Sequence, residues 1–125
     1  MKKNPDCPFC HIDREIILKG ACCCAIYDMF PVNRGHVLVI TDRHVGDYFE
    51  LEKEEIEDLW ETVRKARDLL EEKYSPQGFN VGFNVGEAAG QTIDHVHIHV
   101  IPRYSGDMED PTGGVRHVIP ERGKY

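Results

Sequence analysis

Histidines occupy every second position from His95 to His99, and Val96, Ile98 and Val100 alternate with them. On a strand, successive side chains point to opposite faces. The three imidazoles therefore share one face, spread over about 13 Å at roughly 3.3 Å per residue. The apolar face anchors the strand in a core, so the histidine face looks into a polar site. The chain has seven histidines in all, and three at strict period two are too regular for scattered core or surface residues. Two chemistries suit the pattern. The rings hold a catalytic metal, or one ring is a nucleophile while the others position it and its target.

Cysteines offer a second constellation. Cys7-Pro8-Phe9-Cys10 has the C-x₂-C spacing of half a structural zinc site, but no second such knuckle follows. His11 adjoins it as a further candidate ligand. Cys22, Cys23 and Cys24 lie in the apolar run ACCCAIY; neighbours on a strand face opposite ways, so these three cannot converge on one ion and read as buried core thiols. The N-terminal MKKNPDCPFCH has two lysines but no apolar run behind them, so a secretory leader is not expected and disulfides are a poor reading. Cytoplasmic location follows.

The elements that must position these groups are legible in outline. A tight knuckle is expected about residues 5–11, and strands over 22–27, 36–41, 78–85 and 95–101, the last closed by Pro102. Residues 12–20 favour no element. One helix is expected about 52–74, because Ile56, Leu59, Trp60, Val63, Ala66, Leu70 and Tyr74 keep helical spacing and Ser75-Pro76 ends the run. Its Glu- and Lys-rich face is solvated surface. Loops cover 28–35 and the GEAAGQT segment at 86–92. The fold class is α+β, a mostly antiparallel sheet packed on one face by the long helix. The 125 residues suit a single domain, 1–125, with a tail from about 103 to 125. With 41% hydrophobic and 30% charged residues and a net charge of −7, the chain is an acidic globular protein. General nucleic-acid binding and anionic-membrane binding both want a basic surface and are not expected. No apolar run approaches the ~18 residues of a membrane span. A local phosphate site remains compatible with this charge.

The segment HVHIHVI resembles the signature of the histidine triad family. The loop Asn84–Thr92 is similar to that family's phosphate loop, and PVNRGHVLVI at 31–40 to an upstream block, with Asp28 eight residues before His36. The likeness runs from Cys7 to Arg103. It implies a nucleotide hydrolase or transferase that attacks the α-phosphate of a purine nucleotide, either a dinucleoside polyphosphate or a nucleoside phosphoramidate. The reaction passes through a nucleotidyl-histidine intermediate and releases the nucleoside monophosphate. By position, His97 is the nucleophile, its imidazole attacking phosphorus. His99 and His36 bind phosphate oxygens and stabilise charge in the transition state. Gln91 and Thr92 contact phosphate and leaving group, and N–H groups near Gly90 approach the anion closely. Asp28 takes the ribose hydroxyls, against an ordinary role as a loop cap; Asn84 helps position the nucleotide, against a similar ordinary role.

The same resemblance completes the zinc site with His44 and His95, giving one structural zinc on Cys7, Cys10, His44 and His95. It implies no requirement for a catalytic metal, and it implies a homodimer, to which a long helix bearing Trp60 lends itself. The tail is similar to those of microbial members described as diadenosine polyphosphate hydrolases. In that tail, Arg116 and His117 are candidates for a distal phosphate, a partner subunit or plain surface. Two other classes remain: a metal-dependent hydrolase with all three histidines as ligands, and a nucleotide-binding module without catalysis. Against the first, the nearest carboxylate, Asp94, faces away from the histidines on an ideal strand.

Overall fold

In the computed structural model, which describes residues 3–125, five strands form one antiparallel sheet. Residues 1 and 2, on which part of the leader reading rests, lie outside the described residues. The strands are β1 (Leu18–Lys19), β2 (Cys23–Tyr27), β3 (Val37–Thr41), β4 (Gly78–Gly82) and β5 (His97–Arg103), in the order β1-β2-β3-β5-β4. One helix, α1 (Lys53–Tyr74), crosses between β3 and β4. Short 3₁₀ turns punctuate the loops and the tail.

Helix α1 starts where Glu52 and Glu55 form a reciprocal capping box, which satisfies two otherwise orphaned N–H groups. It stops where Ser75 turns left-handed at φ 52° and Pro76 offers no N–H to continue. Its buried stripe, Leu59, Val63, Ala66 and Leu70, packs against Cys23, Ala25, Val37, Val39, Val96, Ile98 and Val100. Trp60 is not in that stripe. It is 38% exposed and donates from Nε1 to the Tyr48 hydroxyl.

The opposite sheet face is covered by the N-terminal knuckle. Cys7, Phe9 and Cys10 pack on Ile26, Leu38 and Ile40. Strand alternation sends Ile98 and Val100 toward the helix, and thus His97 and His99 toward the knuckle, where the His97 ring lies 5.0 Å from that of Phe9.

Several boundaries differ from expectation. The regular strand begins at His97 rather than His95, because the N–H groups of His95 and Val96 turn to Ile93 and Val45 carbonyls. It runs on through Pro102 to Arg103. Pro102 lies past the last β3 pair, Val37 with Val100, where β5 has become an edge and tolerates a missing donor. Strand β4 ends at Gly82, and Phe83 leaves the ladder to stack on Tyr48 at 4.2 Å. Residues 18–19 form a short edge strand where none was expected. Among the cysteines, Cys23 and Cys24 are buried on opposite faces, as expected, but Cys22 is partly exposed. No described helix is long and apolar enough to cross a membrane.

Candidate active site and metal centre

Hydrogen-bond partners fix the tautomers of the site histidines, since a carbonyl can only accept and a backbone N–H can only donate. His97 Nδ1 lies 2.7 Å from the His95 carbonyl oxygen and must donate to it. The neutral ring then carries its free lone pair on Nε2. The Val32 N–H donates to His36 Nδ1 at 3.0 Å, so neutral His36 bears its proton on Nε2. That N–H donates to His99 Nδ1 at 2.9 Å, which leaves the His99 proton on Nε2. Burial, followed by the neighbouring His97 and His36, pushes the His99 pKa down to about 4. Burial also lowers His36, against the opposing pull of Asp28. These two rings are therefore neutral donors at pH 7. The Asp28 carboxylate, 3.4 Å from His36 Nε2, meets a polarised N–H rather than an imidazolium.

His36 is only 2% exposed and has a partner on each ring nitrogen. It stands behind His99, to which it donates, rather than offering a free N–H of its own. Asp28, His36 and His99 crowd within 4.8 Å of one another. The proton on His36 Nε2 argues against a metal there, because a ligand nitrogen must offer its lone pair.

His95 points elsewhere. It is fully buried, and its Nε2 donates to the Thr41 carbonyl at 2.7 Å, which turns the bare Nδ1 toward Cys7 Sγ (3.3 Å), Cys10 Sγ (3.5 Å) and His44 Nδ1 (3.3 Å). Cys10 Sγ is also 3.2 Å from His44 Nδ1. Ligands 2.0–2.3 Å from a tetrahedral zinc stand roughly 3.3–3.8 Å apart, so the four groups fit that ion in type and spacing. The carbonyl on the remote nitrogen of His95 is the usual orienting partner of a metal-bound histidine. Burial raises the Cys7 thiol above its ordinary value, and a cation would offset that cost for a thiolate. His11 takes no part in the cluster and lines a cleft instead.

Gln91 holds its own loop together. Its Oε1 accepts from Gly86 N at 2.9 Å, and its Nε2 donates to Gly46 O at 2.8 Å and Ile93 O at 3.1 Å. The N–H of Gly90 is bonded to Glu87 O at 2.9 Å. The Gly90 N–H, expected near an anion, is thus engaged within a 3₁₀ turn of its own loop. Thr92 borders a hollow beside Cys7 and His44, and Asn84 one beside His99. Asp94 packs against Gly46; Asp28 is the carboxylate beside the histidines. In the tail, Arg116 donates to the Gly123 and Arg122 carbonyls and His117 to Thr112, so both residues close the tail on itself.

A cleft of about 430 Å³ opens over β2 and β3, with Asp28 at one wall. Phe9, Ile12, Ile26, Leu38 and Ile93 make it apolar. These walls were not singled out in the sequence, although a signal was present. Ile26 pairs with Leu38 and Leu38 with His99, so strand alternation alone puts them on the histidine face.

Fold and site together define a small α+β protein whose paired neutral histidines stand beside an apolar, nucleoside-sized cleft. The chain matches the HIT domain over residues 10–106 and belongs to that family. It is 35% identical over 127 residues to an AP-4-A phosphorylase of Mycobacterium tuberculosis, covering 94% of this chain and 65% of that protein. It is 34% identical over 99 residues to the asymmetrical bis(5'-nucleosyl)-tetraphosphatase of Schizosaccharomyces pombe, covering 79% of this chain and 54% of that one. The chain therefore spans less than two thirds of the length of these two relatives. Among solved structures, a zinc-bound histidine triad family protein of Mycobacterium smegmatis superposes with a TM-score of 0.76 at 32% identity, covering 84% of this chain and 80% of that one.

Proposed function

We propose that the protein is a nucleotide hydrolase or transferase acting on the α-phosphate of a purine nucleotide, a dinucleoside polyphosphate above all. The observation that carries this reading is the His97 tautomer. The bond from Nδ1 to the His95 carbonyl leaves Nε2 as a nucleophile on the histidine face. The nucleoside lies in the apolar cleft, with Asp28 accepting from its ribose hydroxyls. The Nε2 lone pair of His97 forms a bond to the α-phosphorus as the bridging P–O bond breaks, and the leaving phosphate carries off the electron pair. The proton stays on Nδ1, and its hydrogen bond to the His95 carbonyl stabilises the cationic ring. His99 donates from Nε2 to a phosphate oxygen, and His36 holds His99 in that tautomer. Water then attacks phosphorus, the P–N bond breaks, its electrons return to Nε2, and water's proton leaves with the released nucleoside monophosphate.

A metal-dependent hydrolase built on His95, His97 and His99 is the weaker reading, since His95 Nδ1 faces Cys7, Cys10 and His44. Those four residues would hold one zinc, which supplies a structural cross-link; the reaction needs no catalytic metal. The expected roles of Gln91 and Thr92 narrow to shaping the loop and its edge, and Asn84 stays a candidate beside His99. A homodimer and a cytoplasmic location complete the reading. The part-exposed Trp60 and the open edge of β4 offer an interface, and the five thiols are free. A monomer of 14.3 kDa in sedimentation at micromolar concentration would remove the dimer.

Rapid quenching of the reaction with diadenosine tetraphosphate tests the central claim. The expected result is a mass gain of one nucleotide on His97, stable in base and lost in acid. His97→Ala should lose most of kcat while still binding nucleotide. Chelator-sensitive turnover restored by added metal, with no adduct at any quench time, would overturn it.

A further inference from the structure

A second groove begins on the other side of His99 from the nucleoside cleft. It has a volume of about 520 Å³ and runs over β4 toward the tail. Val32, Ile101, Asn80 and Asn84 form one part of its lining, and Val115 and Val118 of the tail another. Gly82 is the β4 residue paired with His99. Cross-strand partners project to the same face, so a side chain at position 82 would rise beside His99. A Cβ built there meets nothing within 4 Å. The absence of a side chain at Gly82 therefore keeps the groove continuous with the histidine pair.

The groove is also uncharged. Arg103 and Asp107, just beyond it, neutralise each other through two bonds of 2.8 Å. His117, in its wall, is bonded to the Thr112 carbonyl. An uncharged groove with Val32, Ile101, Val115 and Val118 along it suits a flat heteroaromatic base, and the Asn80 and Asn84 amides are polar groups of its wall. Its volume lies within the range of small-molecule sites, roughly 300–1,000 Å³. The exposed valines Val32, Val115 and Val118, at 73%, 62% and 83%, gather around one opening, as apolar patches at binding sites do.

We propose that this groove is the leaving-group subsite and takes the second nucleoside of a dinucleoside polyphosphate. The inference rests on the proposed function and goes further, because it places the leaving half of the substrate. With one nucleoside over β2 and β3 and the α-phosphate at His97 and His99, the polyphosphate crosses Gly82 and delivers the second base between β4 and the tail. Specificity then comes from the groove: substrates with a large apolar leaving group gain from it, and those with a small one do not.

Gly82→Leu tests this, since the new side chain enters open space and fills the groove beside His99. The assay compares kcat/KM for diadenosine tetraphosphate and for adenosine phosphoramidate, whose leaving group is ammonia. The ratio of the two should fall about tenfold, the lower end of what reshaping an apolar pocket does. Val118→Ala, which trims an exposed wall and spares the fold, should move the ratio the same way by a smaller factor. A wild-type protein that cleaves neither substrate removes the proposed function and the subsite with it. A wild-type protein that cleaves both, with the ratio unmoved in both variants, overturns the subsite alone. So does an equal loss on both substrates accompanied by a changed sedimentation coefficient, which would assign the groove to subunit contact.

Discussion

Replacing Cys7 and Cys10 together by serine removes two of the four proposed zinc ligands, and the structure sets the size of the effect. The cross-link joins the knuckle to His95, 88 residues away. In the chain-entropy treatment of a cross-link, closing a loop of that length removes about 15 cal/mol/K from the unfolded chain, or about 4.6 kcal/mol at 25 °C. Unfolding entropy near 2.1 cal/mol/K per residue gives about 260 cal/mol/K for 125 residues. The expected drop in melting temperature is therefore about 17 °C. Turnover at 25 °C should fall much less, under about tenfold, because the His97, His99 and His36 contacts do not pass through sulfur. Scanning calorimetry, with elemental analysis of protein purified without added metal, is the assay. A zinc-loaded parent whose variant melts within about 3 °C of it would refute the cross-link argument. A zinc-free parent, with the variant equally stable, would remove the site.

Three further outcomes are expected. His36→Ala should lower kcat by roughly 5–150-fold, the equivalent of about 1–3 kcal/mol for orphaned hydrogen-bonding groups, with a smaller change in KM. His36→Gln, which keeps a donor, should recover part of the loss in steady-state assays. Asp28→Ala should raise KM several-fold for ribonucleotide substrates and narrow the gap to deoxyribose analogues; an unchanged KM for both would count against the ribose contact. Stability should fall on acidification from pH 7 to pH 4. His99 titrates near 4 in the folded protein and near 6.5 unfolded, so the unfolded chain binds the extra proton in that window. The contribution is full above pH 6.5 and is lost as pH falls toward 4. Melting curves at pH 7.5 and 5 check it, and His99→Asn should flatten that part of the dependence.

The helix, four of the five strands and the histidine face were legible because they rest on periodicity. Val96, Ile98 and Val100 had to face a core, and that alone turned His97 and His99 the other way. What escaped was set by which partner each polar atom takes, near in sequence or far, and no periodicity marks that. Nothing local to Gln91 shows that its amide will be taken by Gly46 and Ile93, 45 and 2 residues away. Nothing near His36 shows that the Val32 N–H will occupy its Nδ1. The cleft walls escaped for a different reason. Ile26 and Leu38 look like any strand residues until the register puts Leu38 opposite His99. Residues 18–19 make too short a strand for a pattern and exist only because Ala25 and Cys24 offer partners.

His95 links the Cys/His cluster to the proposed nucleophile. Its Nδ1 faces the cysteines and His44, its Nε2 is held by Thr41, and its carbonyl accepts the His97 Nδ1 proton. A residue fixed at both ring nitrogens presents a fixed carbonyl, and that carbonyl selects the tautomer of His97. In the proposed reaction the cluster would therefore bear on His97 through one backbone atom, and Thr41 still holds His95 when the thiols are removed. The same economy answers how a chain of net charge −7 would receive the anion of the proposed reaction. His99, kept neutral by burial and held in its tautomer by His36, would present an oriented N–H donor. Burial does not penalise a neutral donor as it does a cation, so this ring can sit in the sheet and still donate to a phosphate oxygen in the proposed reaction. That arrangement requires the chain of donors to begin at a backbone N–H, and the bond from Val32 to His36 provides it.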